Sequence, residues 1–194
     1  GSERRFYFQT VMAGGKIHGS IAIVSTAGPE TSVSLNLSFE AINLESLPVQ
    51  ELIAPHRLAG QLEGTADFSG VMSGVDAGTA GVSVKRGAIQ LNPPFFGVEK
   101  LSFREITAGF KLNDRRLAIE SLSFDGEHLS GSGTGTIRLS IPLETSRISL
   151  AATITPQADL LKAAGGFIPK QYLRNGRVPV RITGTLDRPR LSFR

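Results

Sequence analysis

Apolar and polar residues alternate along most of the chain, and this period of two restricts its fold more than any other feature. Between Leu58 and Gly70, every even position is apolar or glycine, and the odd positions are mostly polar. Successive side chains of a β-strand point to opposite faces, so the pattern predicts a strand with one apolar face. The same alternation occurs in residues 17–24, 33–39, 106–112, 129–139, 148–154 and 178–186.

Short turn signals separate these segments, and helical signals are few. Asn113-Asp114 and Gly14-Gly15 are typical of hairpin turns. One short helix is predicted over 157–164, with Thr155 as its N-cap and Pro156 at its first position. A helical turn or two is predicted within 43–53. A doubly wound fold would need a helix between successive strands, so the sequence favours an antiparallel meander.

The glycines lie on the apolar side of the predicted strands, at 60, 64, 70, 131, 133, 135 and 184. Such a row allows a sheet to coil strongly, because little side-chain bulk fills its concave face. We therefore predict a single all-β domain over residues 1–194: a long, strongly curved antiparallel sheet, coiled or partly open as a groove, with one or two short helices. A close-packed sandwich is the alternative. The candidate apolar inner face comprises Leu58, Leu62, Phe68, Ile106, Phe110, Leu129, Ile137, Leu150 and Ile154.

Residues that commonly carry catalysis or bind metals are scarce. The chain has no cysteine and three histidines, which excludes thiolate chemistry and most metal centres. The segment Gly131–Gly135 has glycines at period two inside a strand pattern, unlike a phosphate-binding loop. The polar cluster at 125–128 lies at a predicted turn and lacks the spacing of known metal loops. We predict no enzyme activity, no catalytic residues, no metal and no cofactor.

The net charge of +4 is concentrated near the C-terminus, where residues 140–194 contain nine basic and three acidic residues. The cations are spaced singly, without the interleaved aromatic residues of single-stranded nucleic-acid binders, so we expect no nucleic-acid partner. An anionic partner or membrane surface is the expected contact, and solvated outward positions are the alternative. The candidate basic contact surface comprises Arg174, Arg177, Arg181, Arg188 and Arg190.

The most apolar predicted loop is Pro93-Pro94-Phe95-Phe96-Gly97. Adjacent side chains of an extended segment point in opposite directions, so Phe95 and Phe96 cannot both face inward. One of them is a candidate exposed contact for a partner or for lipid. The alternative is a loop that folds back over the edge of the core.

Several segments resemble a known family. Residues 39–48, followed by the L-x-G-x-L-x-G pattern of 58–64, are similar to the repeat of AsmA-like proteins, and residues 82–91, 110–119 and 129–137 continue the similarity. The ending at 182–191 is similar to the closing strand of that family. Residues 142–150 and 154–156 narrow this similarity. In combination with the segments above, they resemble the protein N (GspN) family of type II secretion systems.

This resemblance implies a periplasmic, β-rich domain, anchored to the inner membrane of a Gram-negative bacterium. Its expected function is that of a non-enzymatic accessory of the type II (general) secretion pathway, with other envelope proteins of that system as partners. The AsmA-like features imply the alternative of a groove that carries phospholipid acyl chains. The first two residues, Gly1-Ser2, have the form of a cloning remnant, so we expect an N-terminal anchor to have been removed.

Overall fold

A computed structural model describes residues 2–25, 31–52, 55–71, 74–95, 98–163, 173 and 175–193. Its strands form one antiparallel sheet in the order of the sequence, which confirms the predicted all-β meander. The strands are β1 (Ser2–Met12), β2 (Gly15–Ser25), β3 (Thr31–Asn43), β4 (Arg57–Val71), β5 (Gly74–Phe95), β6 (Val98–Asn113), β7 (Arg116–Gly126), β8 (Leu129–Arg138), β9 (Arg147–Pro156), β10 (Val178–Thr185) and β11 (Pro189–Phe193). The alternative of a close-packed sandwich is wrong, because the described strands share a single open sheet.

The connections between strands alternate between the two ends of the sheet. Those that follow β1, β3, β5, β7 and β9 lie at one end, called here the helical end because both short helices occur there. Helix α1 (Val49–Leu52) follows a 3₁₀ turn (Leu44–Ser46), in agreement with the predicted helical turns. The connections after β2, β4, β6, β8 and β10 lie at the opposite end.

Helix α2 (Ala158–Ala163) starts later than predicted. Thr155 and Pro156 belong to β9, where they pair with Ser130 and Leu129 of β8, so Thr155 does not cap the helix and Pro156 is not its first residue. Pairing in the sheet satisfies the backbone of Thr155, and this tertiary contact overrides the local signal for a helix start. Leu160 is 3% exposed and packs with Phe103 and Leu129, so α2 covers the apolar face at the helical end.

Bulges keep the apolar residues on one face where the alternation in the sequence changes parity. In β5 the register shifts next to Arg86, whose φ is +51°, and Val84 and Ile89 therefore face the same side despite their odd spacing. In β7 an extra residue between Ile119 and Leu122 has the same effect. Bulges bend the strand and increase its local twist, which is consistent with a curved sheet.

The predicted apolar loop at 93–97 is partly strand. β5 continues to Phe95, which pairs with Val98 of β6, while the pairing is interrupted between Gln90 and Phe95. Proline has no N–H to donate, and this accounts for the interruption at Pro93 and Pro94. Phe96 and Gly97 lie outside the described residues.

Candidate functional site

The candidate site is the apolar face of the sheet, called here the inner face. Cross-strand partners in a sheet share a face, so the register shows which side chains lie together. All nine residues predicted for the inner face lie on it, and all are buried or half-buried. One row across the sheet consists of Ile42, Leu62, Val84, Ile106, Phe124, Gly131, Ile154 and Val178.

A second row shows that the apolar face extends to both edges of the sheet. It is formed by Phe8, Gly19, Leu37, Ala66, Ala80, Phe110, Ile119, Gly135, Leu150, Ile182 and Leu191. The sequence prediction included only part of this surface. Of the missing members, Ile182 lies in the alternating segment 178–186, whereas Val84 lies in residues 82–91, outside the alternating segments. The pairing with neighbouring strands places both on the inner face.

Phenylalanine rings lie across glycines of neighbouring strands on the inner face. A Cβ added to Gly131 would lie 2.6 Å from Cζ of Phe124, and one added to Gly19 would lie 2.5 Å from Cζ of Phe8. Phe68 covers Gly78 in the same way. The prediction that little bulk fills the concave face at its glycines is therefore wrong at Gly131, where an aromatic ring occupies the space.

No second layer covers most of the inner face in the described part of the chain. Extensive contacts between strands are restricted to consecutive strands of the meander. Helix α2 packs over Phe103 and Leu129 at the helical end. Toward the opposite end, Phe110, Ile137 and Leu150 remain half-buried within a single layer. The inner face is therefore an apolar surface that is partly exposed, because Ile119 and Val180 on it are buried while Phe110 is half-buried. It has a depression of about 250 Å³, lined in part by Val33, Leu35, Phe68, Val71 and Val75.

The outer face of the sheet is polar and carries ion pairs between adjacent strands. Arg104 donates two hydrogen bonds to Asp125, of 2.8 and 2.9 Å. Nζ of Lys85 lies 2.6 Å from Oε1 of Glu63. The hydrogen bonds from Arg104 lower the pKa of Asp125 below its ordinary value. Two depressions on this face are lined by serine, threonine and charged residues together with glycine, alanine and valine.

The arginines predicted as one basic surface are separated in the structure. Arg177 precedes β10 at the helical end, whereas Arg188 and Arg190 lie at the opposite end. Arg181 is on the outer face in the middle of β10, and its Nε is buried without a hydrogen-bond partner among the described residues. Arg174 lies outside the described residues, as does the predicted contact residue Phe96.

The histidines have structural neighbours that the sequence did not reveal. Nδ1 of His56 accepts a hydrogen bond of 3.1 Å from the backbone N–H of Asn92. Nδ1 of His128 lies 3.6 Å from Oδ2 of Asp159 at the start of α2. Within the residues that the structure describes, no group of three histidine, aspartate or glutamate side chains is arranged to hold a metal ion. No described helix is long and apolar enough to cross a bilayer.

Comparison with known proteins gives no match to a family model, to a curated protein or to a solved structure.

Proposed function

We propose that the inner face binds the acyl chains of lipids. The observation that carries this proposal is an apolar surface that continues across the sheet and that no second layer of the described residues covers over most of its area. Contiguous apolar patches of more than a few hundred Å² are rare on soluble monomers and mark binding sites when they occur. The resemblance of the sequence to AsmA-like proteins supports the same function.

The chemistry of the inner face favours a hydrocarbon chain over a polar ligand. Its rows consist of aliphatic residues, phenylalanine, alanine and glycine, and the charged side chains of Lys85, Arg104 and Asp125 lie on the outer face. Each methylene group removed from water contributes about 0.8 kcal/mol to the binding free energy, so the affinity for an acyl chain increases with its buried length. The open side of the face allows a headgroup to remain in water.

The direct test is native mass spectrometry of the chain purified without detergent, followed by lipid extraction. We expect adducts with the masses of phospholipids or fatty acids, which disappear after delipidation and return on addition of an acyl-chain ligand. A chain that carries no lipid and takes none up would contradict the proposal.

A second candidate function is that of a non-enzymatic accessory in the type II secretion pathway, located in the periplasm of a Gram-negative bacterium and bound to other envelope proteins. The exposed edge strand β1 favours it. All of β1 is exposed, including Tyr7 (77%), Val11 (70%) and Phe6 (53%), and one edge of β1 has no neighbouring strand among the described residues. Such an edge is a template for the addition of a strand from another protein.

This second candidate predicts a complex with a purified envelope component of the secretion system. The double variant Tyr7→Lys/Val11→Lys should abolish the complex, since charge on an edge strand blocks strand addition. Thr79→Lys, on the exposed outer face of the interior strand β5, is the matched control. Loss of the complex in the control as well, or its retention in the edge variant, would refute the role of β1.

A further inference from the structure

The connection between β8 and β9, residues 139–146, presents two aliphatic side chains to solvent. Ile141 is 93% exposed, and Leu143 is 44% exposed. Both lie at the end of the sheet opposite the helices, between Arg138 at the end of β8 and Arg147 at the start of β9. A nearly fully exposed isoleucine is unfavourable in water, and it gains free energy only when another surface covers it.

The connection is held in place by hydrogen bonds to the turns on both sides. The backbone N–H of Leu139 donates to the carbonyl of Arg115, at 2.7 Å, and that of Asp187 donates to the carbonyl of Glu144, at 3.2 Å. Ser146 is fully buried, and its Oγ accepts a hydrogen bond of 3.0 Å from the N–H of Ser140. These contacts on both sides fix the connection, so Ile141 is presented to solvent by an ordered loop.

Three arginines lie side by side on the outer face beside this connection. Arg116, Arg138 and Arg147 are direct cross-strand partners on β7, β8 and β9, and all three are exposed. Adjacent strands are about 4.8 Å apart, and like charges directly opposite each other are destabilising. None of the three has a carboxylate within ion-pair distance in the described part of the chain. By contrast, such a partner is present for Arg5, Lys85, Arg104 and Arg188.

The net positive charge of the chain is concentrated at this end of the sheet. We call this part of the chain the basic rim and define it as residues 111–116, 138–147 and 185–190. It contains seven basic and three acidic residues, an excess of four, which equals the net charge of the whole chain. The other fourteen basic and fourteen acidic residues balance. The acidic members are Asp114, Glu144 and Asp187, and Asp76 lies at the adjacent start of β5.

We propose that the basic rim docks on the surface of an anionic lipid bilayer. Ile141 and Leu143 enter the interfacial region, and the arginine row contacts the lipid phosphates. A bilayer surface has phosphate groups on the outside and hydrocarbon beneath them. Arginine side chains bind the phosphates, and exposed aliphatic side chains enter the hydrocarbon. A nucleic acid would offer phosphates but no hydrocarbon to cover Ile141. This docking does not depend on an occupied inner face.

The basic rim lies next to the inner face, at the same end of the sheet. Leu117, Ile137 and Ile148 are cross-strand partners on the inner face, each one residue away from an arginine of the row. One residue advances a strand by about 3.3 Å, so phosphate contacts and the apolar face meet at the same end of the sheet. A lipid that leaves the bilayer there would meet the inner face, and this last step rests on the proposed function.

Sedimentation of the delipidated chain with vesicles tests the docking. We expect binding to vesicles of phosphatidylcholine mixed with phosphatidylglycerol, weaker binding at high salt, and little binding to phosphatidylcholine alone. Each arginine near an anionic surface contributes about 1 kcal/mol, so Arg138→Gln/Arg147→Gln should weaken binding about 25-fold. Ile141→Ser/Leu143→Ser should weaken it about tenfold without changing its dependence on salt.

The matched control is Arg57→Gln/Arg177→Gln, which removes the same charge from exposed positions at the helical end. Circular dichroism verifies the fold of each variant. Binding by the control close to that of the unmodified chain supports docking by the basic rim. An equal loss in the control would show an effect of net charge alone and would overturn the proposal. Unchanged binding in Arg138→Gln/Arg147→Gln, or equal binding to neutral vesicles, would also overturn it.

Discussion

Replacing Gly131 by valine is expected to destabilise the sheet by about 3 kcal/mol or more, because no space for a side chain exists at this position. A Cβ there would lie 2.6 Å from Cζ of Phe124 and still closer to the carbonyl oxygen of Thr153. The ring of Phe124 also packs edge-on against Phe103, with ring centroids 6.1 Å apart, so its displacement would disturb the core beneath α2.

Urea unfolding followed by circular dichroism measures this effect, and Gly81→Val provides the control. Gly81 lies on the outer face of β5, and a Cβ there has no atom within 4 Å. Valine suits an exposed strand position and reduces the entropy of the unfolded chain, so the control should be neutral or slightly stabilising. Equal destabilisation by the two substitutions would show that the Phe–Gly contact is not what requires glycine at 131.

Replacing Phe110 by aspartate is expected to lower the affinity for an acyl-chain ligand at least tenfold, which corresponds to about 1.4 kcal/mol. Phe110 lies in the middle of the inner face, between Ala80 of β5 and Ile119 of β7, and it is half-buried. A carboxylate in this position loses hydration when a hydrocarbon chain covers it, and it offers that chain no compensating contact.

The measurement is a fluorescence titration with a fatty acid that carries an environment-sensitive dye. Thr107→Asp is the control, because it places the same charge on the same strand but on the exposed outer face. The control should bind as the unmodified chain does. If both variants lose affinity equally, or if Phe110→Asp binds normally while folded, the inner face is not the binding site.

Much of the fold follows from local pattern. Strict alternation defines strands without reference to distant residues, and it assigned all nine candidate residues to one face of the sheet. It fails where a bulge shifts the parity, as at Arg86 in β5 and between Ile119 and Leu122 in β7. A bulge depends on the partner strand, so the sequence of one strand alone does not reveal it.

The arrangement of the basic residues depends on register between strands, and sequence proximity is misleading there. Arg177 and Arg188 are close in the sequence, yet the length of β10 separates them by roughly 25 Å at about 3.3 Å per residue. Arg116, Arg138 and Arg147 are spread over three strands, and antiparallel pairing brings them side by side. The sequence does not predict the exposure of Ile141 either, because the position of its loop depends on contacts with two other turns.

Photo-crosslinking with a diazirine-labelled fatty acid tests most directly whether the inner face binds acyl chains. After irradiation, peptide mass spectrometry identifies the modified residues. We predict modification of inner-face residues such as Leu37, Phe110 and Leu150, with their exposed outer-face neighbours on the same strands left unmodified. Equal modification of the two faces, or modification restricted to the edge strand β1, would show that the inner face does not bind acyl chains.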